Sequence, residues 1–131
     1  MKVVDASAIV EALVGSDATG QRARHALDHD CAAPELADIE VVAALRGLTS
    51  GSLLSPEVSV QAVRDLVRLR LRRYSHAALL ERMWELRHNA TPYDASYVAL
   101  AEALGAPLVT ADEKFLSISD VGCDIELISA A

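Results

Sequence analysis

Three aspartates occupy positions where the sequence predicts that a strand ends or a helix begins. Asp5 comes directly after the short β-branched run KVV, and Asp112 follows the apolar segment PLVTA. Asp94 begins the strongly apolar segment DASYVALAEAL, which predicts a helix. Each aspartate alone is explained by capping of a helix N-terminus, where a carboxylate accepts hydrogen bonds from free N–H groups. Brought together at one edge of a sheet, the same carboxylates would instead form a cation site.

A fourth acidic residue, Glu40, lies inside the segment PELADIEVVAALRGL, which predicts a helix over residues 35–48. At 100° per residue, Glu40 shares a face with small and apolar residues, whereas Glu35 and Asp38 point to another side, where we expect solvent. Burying a carboxylate on such a face costs several kcal/mol unless it is paired, protonated or bound to a metal. An ion pair with an arginine is the structural alternative to a metal for Glu40.

Together these acids predict a site for a hard divalent cation. The candidate catalytic and metal-binding residues are Asp5, Glu40, Asp94 and Asp112. If they converge on one strand edge, either their pKa values rise or a cation lies between them. Ligands that are all oxygen suit Mg²⁺ or Mn²⁺, and such an ion activates a water and binds phosphate oxygens. The hydroxyls of Ser7 and Thr110 could support the site, although ordinary capping explains both equally well.

The elements that must position these residues alternate between strands and helices along the whole chain. Apolar runs predict strands at Lys2–Val4, 31–33, 107–110 and 124–128, and an alternating run predicts a half-exposed edge strand at 69–73. The segments between them predict helices at Ala6–Val14, 17–28, 35–48, 56–68, 75–84 and 94–104. Strands separated by helices indicate an α/β fold whose parallel sheet is covered on both faces and whose sites form at the carboxyl ends of strands.

Length and composition indicate one globular domain, residues 1–131, with 52% hydrophobic and 24% charged residues. A chain of this length buries roughly two-thirds of its unfolded surface and needs no disulfide to fold. We therefore expect Cys31 and Cys123 to be reduced and partly buried. Because no apolar run reaches the roughly 18 residues of a membrane span and the start does not read as a signal peptide, we expect a cytoplasmic protein.

The net charge of −7 ordinarily argues against nucleic acid as a partner, but the positive charges are unevenly distributed. Five arginines fall within ten residues, namely Arg64, Arg68, Arg70, Arg72 and Arg73. Guanidinium groups suit the recognition of phosphate or carboxylate. Three interpretations of this cluster are open: a solvated helix face followed by an edge strand, a patch that binds phosphate, or a docking surface for an acidic segment of a partner protein.

The segments VVDAS, PELADIEVVAALR and TPYDASYVALAEALGAPLVTAD, in this order and spacing, resemble the PIN-domain ribonucleases, and in particular the VapC-type toxins of bacterial toxin–antitoxin pairs. The resemblance covers essentially the whole chain and implies a three-layer α/β/α sandwich around a mainly parallel sheet. It also implies an endoribonuclease that depends on Mg²⁺ or Mn²⁺, uses the four acids named above, and acts on a structured RNA such as tRNA or ribosomal RNA. A homodimer inhibited by a cognate VapB-type antitoxin is a further implication. Some relatives carry another acid after the position of Asp112, for which Glu113 and Asp120 are the candidates here.

Other functions fit the same α/β pattern less well. A receiver-like phosphoacceptor needs an acidic pair at the first strand and an aspartate after a middle strand, but Asp5 has no acidic neighbour and no acid follows Leu71 closely. A phosphatase of the haloacid dehalogenase type needs a second aspartate at the position of Ser7. A catalytically silent PIN-like module, acting only through protein contacts, is the alternative from another class, and retention of all four acids counts against it.

Overall fold

Residues 1–129, which this computed structural model of the chain describes, alternate between short strands and helices. The strands are β1 (Lys2–Val4), β2 (Cys31–Pro34), β3 (Leu71–Tyr74), β4 (Leu108–Thr110) and β5 (Ile125–Leu127). The α-helices are α1 (Ala6–Val14), α2 (Ala18–Leu27), α3 (Leu36–Ser50), α4 (Pro56–Arg68), α5 (Leu80–Glu85) and α6 (Pro92–Leu104). Two 3₁₀ turns, Ala77–Leu79 and Glu113–Ser117, complete the described elements.

The strands form one sheet in the order β3-β2-β1-β4-β5, and all neighbouring pairs are parallel. Crossovers between parallel strands are right-handed. The chain runs in one direction across the sheet from β1 to β3 and in the other direction from β3 to β5, so the helices of these two parts lie on opposite faces. In agreement, α1 packs against α2, α3 and α4, whereas α5 packs against α6 and α6 lies across β1, β2 and β4. The predicted three-layer α/β/α sandwich and the edge position of the third strand are therefore confirmed.

The predicted element boundaries agree with the structure to within two residues, with two differences of interest. Helix α6 begins at Pro92, because the hydroxyl of Thr91 accepts a hydrogen bond from the Asp94 N–H at 3.2 Å. Thr91 is thus the cap, and the capping role considered for Asp94 is wrong; this carboxylate lies in the first turn and is available for other contacts. The single helix predicted for 75–84 is divided into the first 3₁₀ turn and the short α5.

Helix α6 is the most completely buried helix of the described chain, with its residues 95–101 all buried. Its apolar character on every side is that of a helix enclosed between a sheet and other elements. Gly105 ends it with a left-handed φ of 61°, which a residue without Cβ adopts at no steric cost. Because α6 is fixed in this way, the polar side chains of its first turns have well-defined positions.

The two cysteines are free, as expected, with Cys31 buried and Cys123 half-buried. Burial is the main cause that raises the pKa of the Cys123 thiol to about 11, with Glu102 and Asp124 contributing. Within residues 1–129 no helix has the length and apolar character needed to cross a bilayer. The proposed single domain spans residues 1–131, of which the last two lie outside the described residues.

Candidate active site

The site forms where the sheet changes its direction of winding. The chain proceeds from β1 to β2 on one side and returns to β4 on the other, so a crevice opens beyond the carboxyl ends of β1 and β4. Asp5 directly follows β1, and Asp112 lies two residues after β4. Val4 pairs with Val109 in the sheet, which brings the two strand ends to the same level.

Asp5 is buried, with 4% of its surface exposed, and both of its carboxylate oxygens accept hydrogen bonds. Oδ1 accepts from the Ser7 hydroxyl at 2.7 Å and from the Ala8 N–H at 3.0 Å. Through the bond from Ala8, Asp5 caps the N-terminus of α1. Oδ2 accepts from the Thr110 hydroxyl at 2.8 Å. Burial is the main cause that raises the pKa of Asp5, although these hydrogen bonds oppose it, and the charge of Asp112 raises it further.

Ser7 and Thr110 link the start of α1 to the end of β4. Their hydroxyl oxygens are 3.2 Å apart, and the Ser7 oxygen accepts from the Ala111 N–H at 2.9 Å. The Thr110 oxygen accepts from the Asp112 N–H at 3.0 Å. The same two hydroxyls that bind the Asp5 carboxylate therefore also hold the backbone that carries Asp112.

Asp94 and Asp112 share a cation supplied by the chain itself. The Lys114 ammonium lies 3.3 Å from Oδ1 of Asp94 and 3.2 Å from Oδ2 of Asp112. Partial burial by itself lowers the pKa of Lys114, but the charges and hydrogen bonds of the two carboxylates outweigh it, so the pKa is raised. One positive charge therefore contacts both Asp94 and Asp112.

Glu40 is held by a tyrosine. The Tyr97 hydroxyl donates to Oε1 of Glu40 at 2.5 Å, and the Tyr97 ring packs edge-on against Phe115 with 6.5 Å between centroids. Burial first, and then the bond to Glu40, raise the pKa of Tyr97 well above its usual range, so this hydroxyl stays a donor. The expectation of a deeply buried Glu40 is wrong, because the side chain is half-exposed at the cleft and its partner is a phenol instead of an arginine.

An open cleft of about 790 Å³ is lined by both Glu40 and Asp112. Two further acids line it, Glu11 from α1 and Glu113 from the second 3₁₀ turn. Asp120, the other candidate for an additional acid, lies elsewhere, with its carboxylate 3.5 Å from the Arg82 guanidinium. The cleft is thus acidic on several sides, and Glu113 is the additional acid that reaches it.

The side chains of this site carry the oxygen atoms that a hard cation binds, but they are not all close to one another. Within residues 1–129 no three carboxylate, imidazole or thiol side chains are close enough to form a ready metal site. The predicted convergence of four carboxylates is met only in part, since Glu40 is bonded to Tyr97 and Asp5 to hydroxyls and the Ala8 N–H. The donors are nevertheless all oxygen, and the Lys114 ammonium shows that a cation fits between Asp94 and Asp112.

Sequence reasoning missed Lys114 and Tyr97, although both have local signals. Lys114 lies two residues after Asp112 in TADEK, close enough for its ammonium to fold back on that carboxylate. Tyr97 lies three residues after Asp94 and therefore shares its helix face. What the sequence could not indicate is their distant partners, Asp94 for Lys114 and Glu40 for Tyr97.

The arginine cluster is divided by the fold. Arg73 turns inward, where Nε donates to Oδ2 of Asp38 at 2.8 Å and the other guanidinium nitrogens donate to main-chain carbonyls of α4 and β3. The expectation that Asp38 is simply solvated is therefore wrong. Arg72 is 3.6 Å from Asp30 in an exposed ion pair. The remaining exposed arginines are Arg64, Arg68 and Arg70.

On this parallel sheet Asp5 follows β1, Asp112 follows β4 and Asp94 lies in the first turn of α6. This is the layout that the sequence resemblance implied. The family model described as PIN domain matches residues 2–121, and the chain belongs to this family. Ribonuclease VapC1 of Mycobacterium tuberculosis H37Rv is 42% identical over 128 residues, which cover 96% of each chain. The family branch that the chain resembles over nearly its full length is thus that of the VapC ribonucleases.

Two solved structures share the fold at 18% sequence identity. Mycobacterium tuberculosis VapC20, a sarcin–ricin loop cleaving toxin, has a TM-score of 0.66 and covers 88% of this chain and 93% of its own. VapBC2 from Rickettsia felis, bound to a DNA fragment from its promoter, has a TM-score of 0.65 and covers 95% of this chain and 96% of its own. At this identity the likeness concerns the fold alone.

Proposed function

We propose that this chain is a metal-dependent endoribonuclease, the toxin of a toxin–antitoxin pair, which hydrolyses phosphodiester bonds in structured RNA of the tRNA or ribosomal RNA class. The observation that carries the proposal is that Asp94 and Asp112 share one ammonium beside the acidic cleft, which Glu40 and Asp112 line beyond the carboxyl ends of β1 and β4. Membership of the PIN family and 42% identity to a protein named as a ribonuclease support it. The RNA class rests on the family resemblance.

In this proposal Asp5, Glu40, Asp94 and Asp112 are the residues that would hold Mg²⁺ or Mn²⁺. A bound ion of this kind supplies Lewis-acid activation of a water and neutralises charge on the phosphoryl oxygens. The chain's own groups orient the acids: Ser7 and Thr110 fix the Asp5 carboxylate, and the Tyr97 hydroxyl fixes that of Glu40. One cleft carboxylate accepts the proton that the attacking water loses.

Removal of divalent cations is the test of this proposal. With the purified chain and a tRNA or ribosomal RNA substrate, we expect EDTA to lower the initial rate of cleavage at least about tenfold, because charge on the phosphoryl group is then no longer neutralised. Adding Mg²⁺ or Mn²⁺ in excess of the chelator should restore the rate. Cleavage that continues unchanged in EDTA would exclude metal dependence.

The same assay separates the alternatives. A chain that folds and binds Mn²⁺ but cleaves no RNA would favour the catalytically silent module. Transfer of phosphate from a small phosphodonor to the chain would favour the receiver-like function, for which the structure offers little support: β3 is followed by Ser75 and His76, with no acid at its end.

The partners proposed for this chain are its RNA substrate in the cytoplasm, a second copy in a homodimer and a cognate VapB-type antitoxin. RNA binding by a chain of net charge −7 needs cationic contacts to offset the repulsion of phosphates. The exposed arginines, Arg64, Arg68 and Arg70, have guanidinium groups free to face solvent and suit this role. Arg73 does not, since its guanidinium is already bonded to Asp38 and to main-chain carbonyls.

Replacing the exposed arginines Arg64, Arg68 and Arg70 with glutamine is expected to weaken RNA binding and to flatten its dependence on salt. If each contacts one phosphate, the slope of log affinity against log salt concentration should become about 2 units less steep. Binding is measured by fluorescence anisotropy over a series of salt concentrations, with Arg24→Gln on α2 as the control outside the cluster. An unchanged slope would leave these arginines to antitoxin docking or to solvation.

A further inference from the structure

Lys114 occupies the place in the site where a divalent cation is expected. Its ammonium lies 3.3 Å from Asp94 and 3.2 Å from Asp112, and thus bridges the first turn of α6 and the turn after β4. The chain has only one other lysine, Lys2, which pairs with Glu126 at 2.9 Å at the start of β1. One of the two lysines of the chain therefore places a positive charge on a flexible side chain at the acidic cleft.

The Lys114 side chain is able to leave this place. It is 55% exposed, whereas Asp94 is 13% and Asp112 38% exposed, so the ammonium approaches the two carboxylates from the solvent side. Exposed ion pairs of this kind are weak, because water competes for the charges and the long side chain loses rotamer freedom when it is held. In the same position the ammonium lies 5.9 Å from the centre of the Phe115 ring, a distance at which attraction to the ring is also weak.

An ammonium and a divalent cation cannot occupy the same pair of carboxylates. A hard cation binds carboxylate oxygens at roughly 2.0–2.6 Å, and a positive charge a few ångströms away repels it. The ammonium already contacts Oδ1 of Asp94 and Oδ2 of Asp112, two of the oxygens that the ion would use. Binding of the ion therefore requires that Lys114 swing out into solvent.

We propose that Lys114 is an internal counter-ion of the acidic cleft that competes with the divalent cation for Asp94 and Asp112 and so sets the metal affinity of the site. The inference rests on the proposed function, since it takes this cleft as the metal site. The metal affinity that is measured is then the intrinsic affinity multiplied by the fraction of time in which the carboxylates are free of Lys114. The residue acts by positioning charge and not by contact with the substrate.

A purely architectural role for Lys114 makes a different prediction. The turn after β4 is already closed by hydrogen bonds from main-chain N–H groups to side-chain oxygens. The Lys114 N–H donates to Oδ1 of Asp112 at 3.0 Å, and the Asp112 N–H donates to the Thr110 hydroxyl oxygen at 3.0 Å. These bonds do not involve the ammonium and persist in a variant with an uncharged side chain. If the ammonium served only to hold the turn, its loss would loosen the site and weaken metal binding.

The experiment is a titration of the purified full-length chain with Mn²⁺, in which free Mn²⁺ is counted by electron paramagnetic resonance. Lys114→Met keeps the length of the side chain and removes its charge, so we expect roughly five- to tenfold tighter Mn²⁺ binding than in the wild type. Lys114→Arg keeps the charge and should remain within about threefold of the wild type. Lys2→Met, which removes the same charge at the amino end of β1, should have unchanged affinity.

Thermal unfolding of the same proteins gives an independent reading. In EDTA, Lys114→Met should unfold at a lower temperature than the wild type, because Asp94 and Asp112 then repel each other. Saturating Mn²⁺ should raise its unfolding temperature by more than it raises that of the wild type.

The outcomes separate this inference from the proposed function. Equal or weaker Mn²⁺ binding by Lys114→Met, beside clear binding by the wild type, would overturn the competition and leave the metal-dependent nuclease standing. Absence of Mn²⁺ binding by both proteins would overturn the competition together with the metal site. Tighter binding by Lys114→Met but not by Lys114→Arg or Lys2→Met supports the proposal.

Discussion

Replacing Asp94 with asparagine is expected to lower the rate of RNA cleavage at least a hundredfold while the chain stays folded. The side chain is 13% exposed and faces the Lys114 ammonium, so the substitution removes one of the two charges that would hold a metal there. A loss of about 3 kcal/mol of transition-state stabilisation corresponds to roughly a hundredfold in rate. Initial rates at saturating Mg²⁺ measure the effect, and circular dichroism melting shows that the variant is folded.

Substitution of Asp94 tests the site better than substitution of Asp5, because the Asp94 carboxylate contributes little to the stability of the fold. Thr91 caps α6, so a first-turn carboxylate adds only about 0.3–1 kcal/mol through the helix dipole. Asp5, in contrast, caps α1 and accepts from two hydroxyls, so Asp5→Asn would disturb the fold as well as the site. Asp28→Asn, an equal change of charge between α2 and the amino end of β2, is the matched control. Wild-type rates in Asp94→Asn would contradict the assignment of the site.

The parts of this fold that depend on local pattern could be predicted from the sequence. Short apolar runs and helical periodicity gave the strands and helices to within two residues, and the rule that sites form at strand ends selected Asp5 and Asp112. The exception, the division of residues 77–85 into a 3₁₀ turn and a short helix, lies where few residues of the segment are buried. Where packing does not fix a helix, its periodic pattern is a weak guide.

What the sequence could not provide depends on how distant elements dock. Arg73 reaches Asp38 across 35 positions, and Tyr97 reaches Glu40 across 57. A helical projection treats α3 as isolated, so it assigned Glu40 to a buried face that in the fold borders an open cleft. Likewise, net charge counts Arg73 as an available cation, whereas the docking of α3, α4 and β3 satisfies its guanidinium internally.

Replacing Arg82 with methionine is expected to lower the free energy of unfolding by about 2–3 kcal/mol, the usual loss when a hydrogen-bonded, partly buried charge is left without its partner. The Arg82 guanidinium donates to both oxygens of Glu102, at 2.8 and 3.0 Å, and to the Asp120 carbonyl at 2.7 Å. The Gly122 N–H also donates to Glu102, at 2.6 Å. This arrangement joins α5, α6 and the segment before β5. Chemical denaturation at pH 7 measures the loss.

The pH dependence of this loss identifies its cause. The hydrogen bonds from Arg82 are the main reason why the pKa of Glu102 is held below its ordinary value of 4.5, although burial opposes the shift. A carboxylate whose pKa is lower in the folded state stabilises the fold above its unfolded pKa, and this contribution disappears as the pH falls through the folded pKa. The stability difference between wild type and Arg82→Met should therefore be full at pH 7 and shrink below pH 4.5.

Two variants test whether the loss of stability comes from the ion pair with Glu102 or from removing an arginine on this face in general. Arg82→Lys keeps the charge but not the paired hydrogen bonds, so we expect an intermediate loss. Arg87→Met on the segment after α5 removes the exposed stacking of its guanidinium, 4.7 Å from the centre of the Trp84 ring, and an exposed hydrogen bond to the Trp84 carbonyl at 3.0 Å; it should cost less than about 1 kcal/mol. A loss in Arg82→Met that does not change with pH would assign its effect to packing of the side-chain stem and not to Glu102. Because Arg82 pairs with Glu102 near the far end of α6 from Asp94, RNA cleavage by folded Arg82→Met should remain at the wild-type rate.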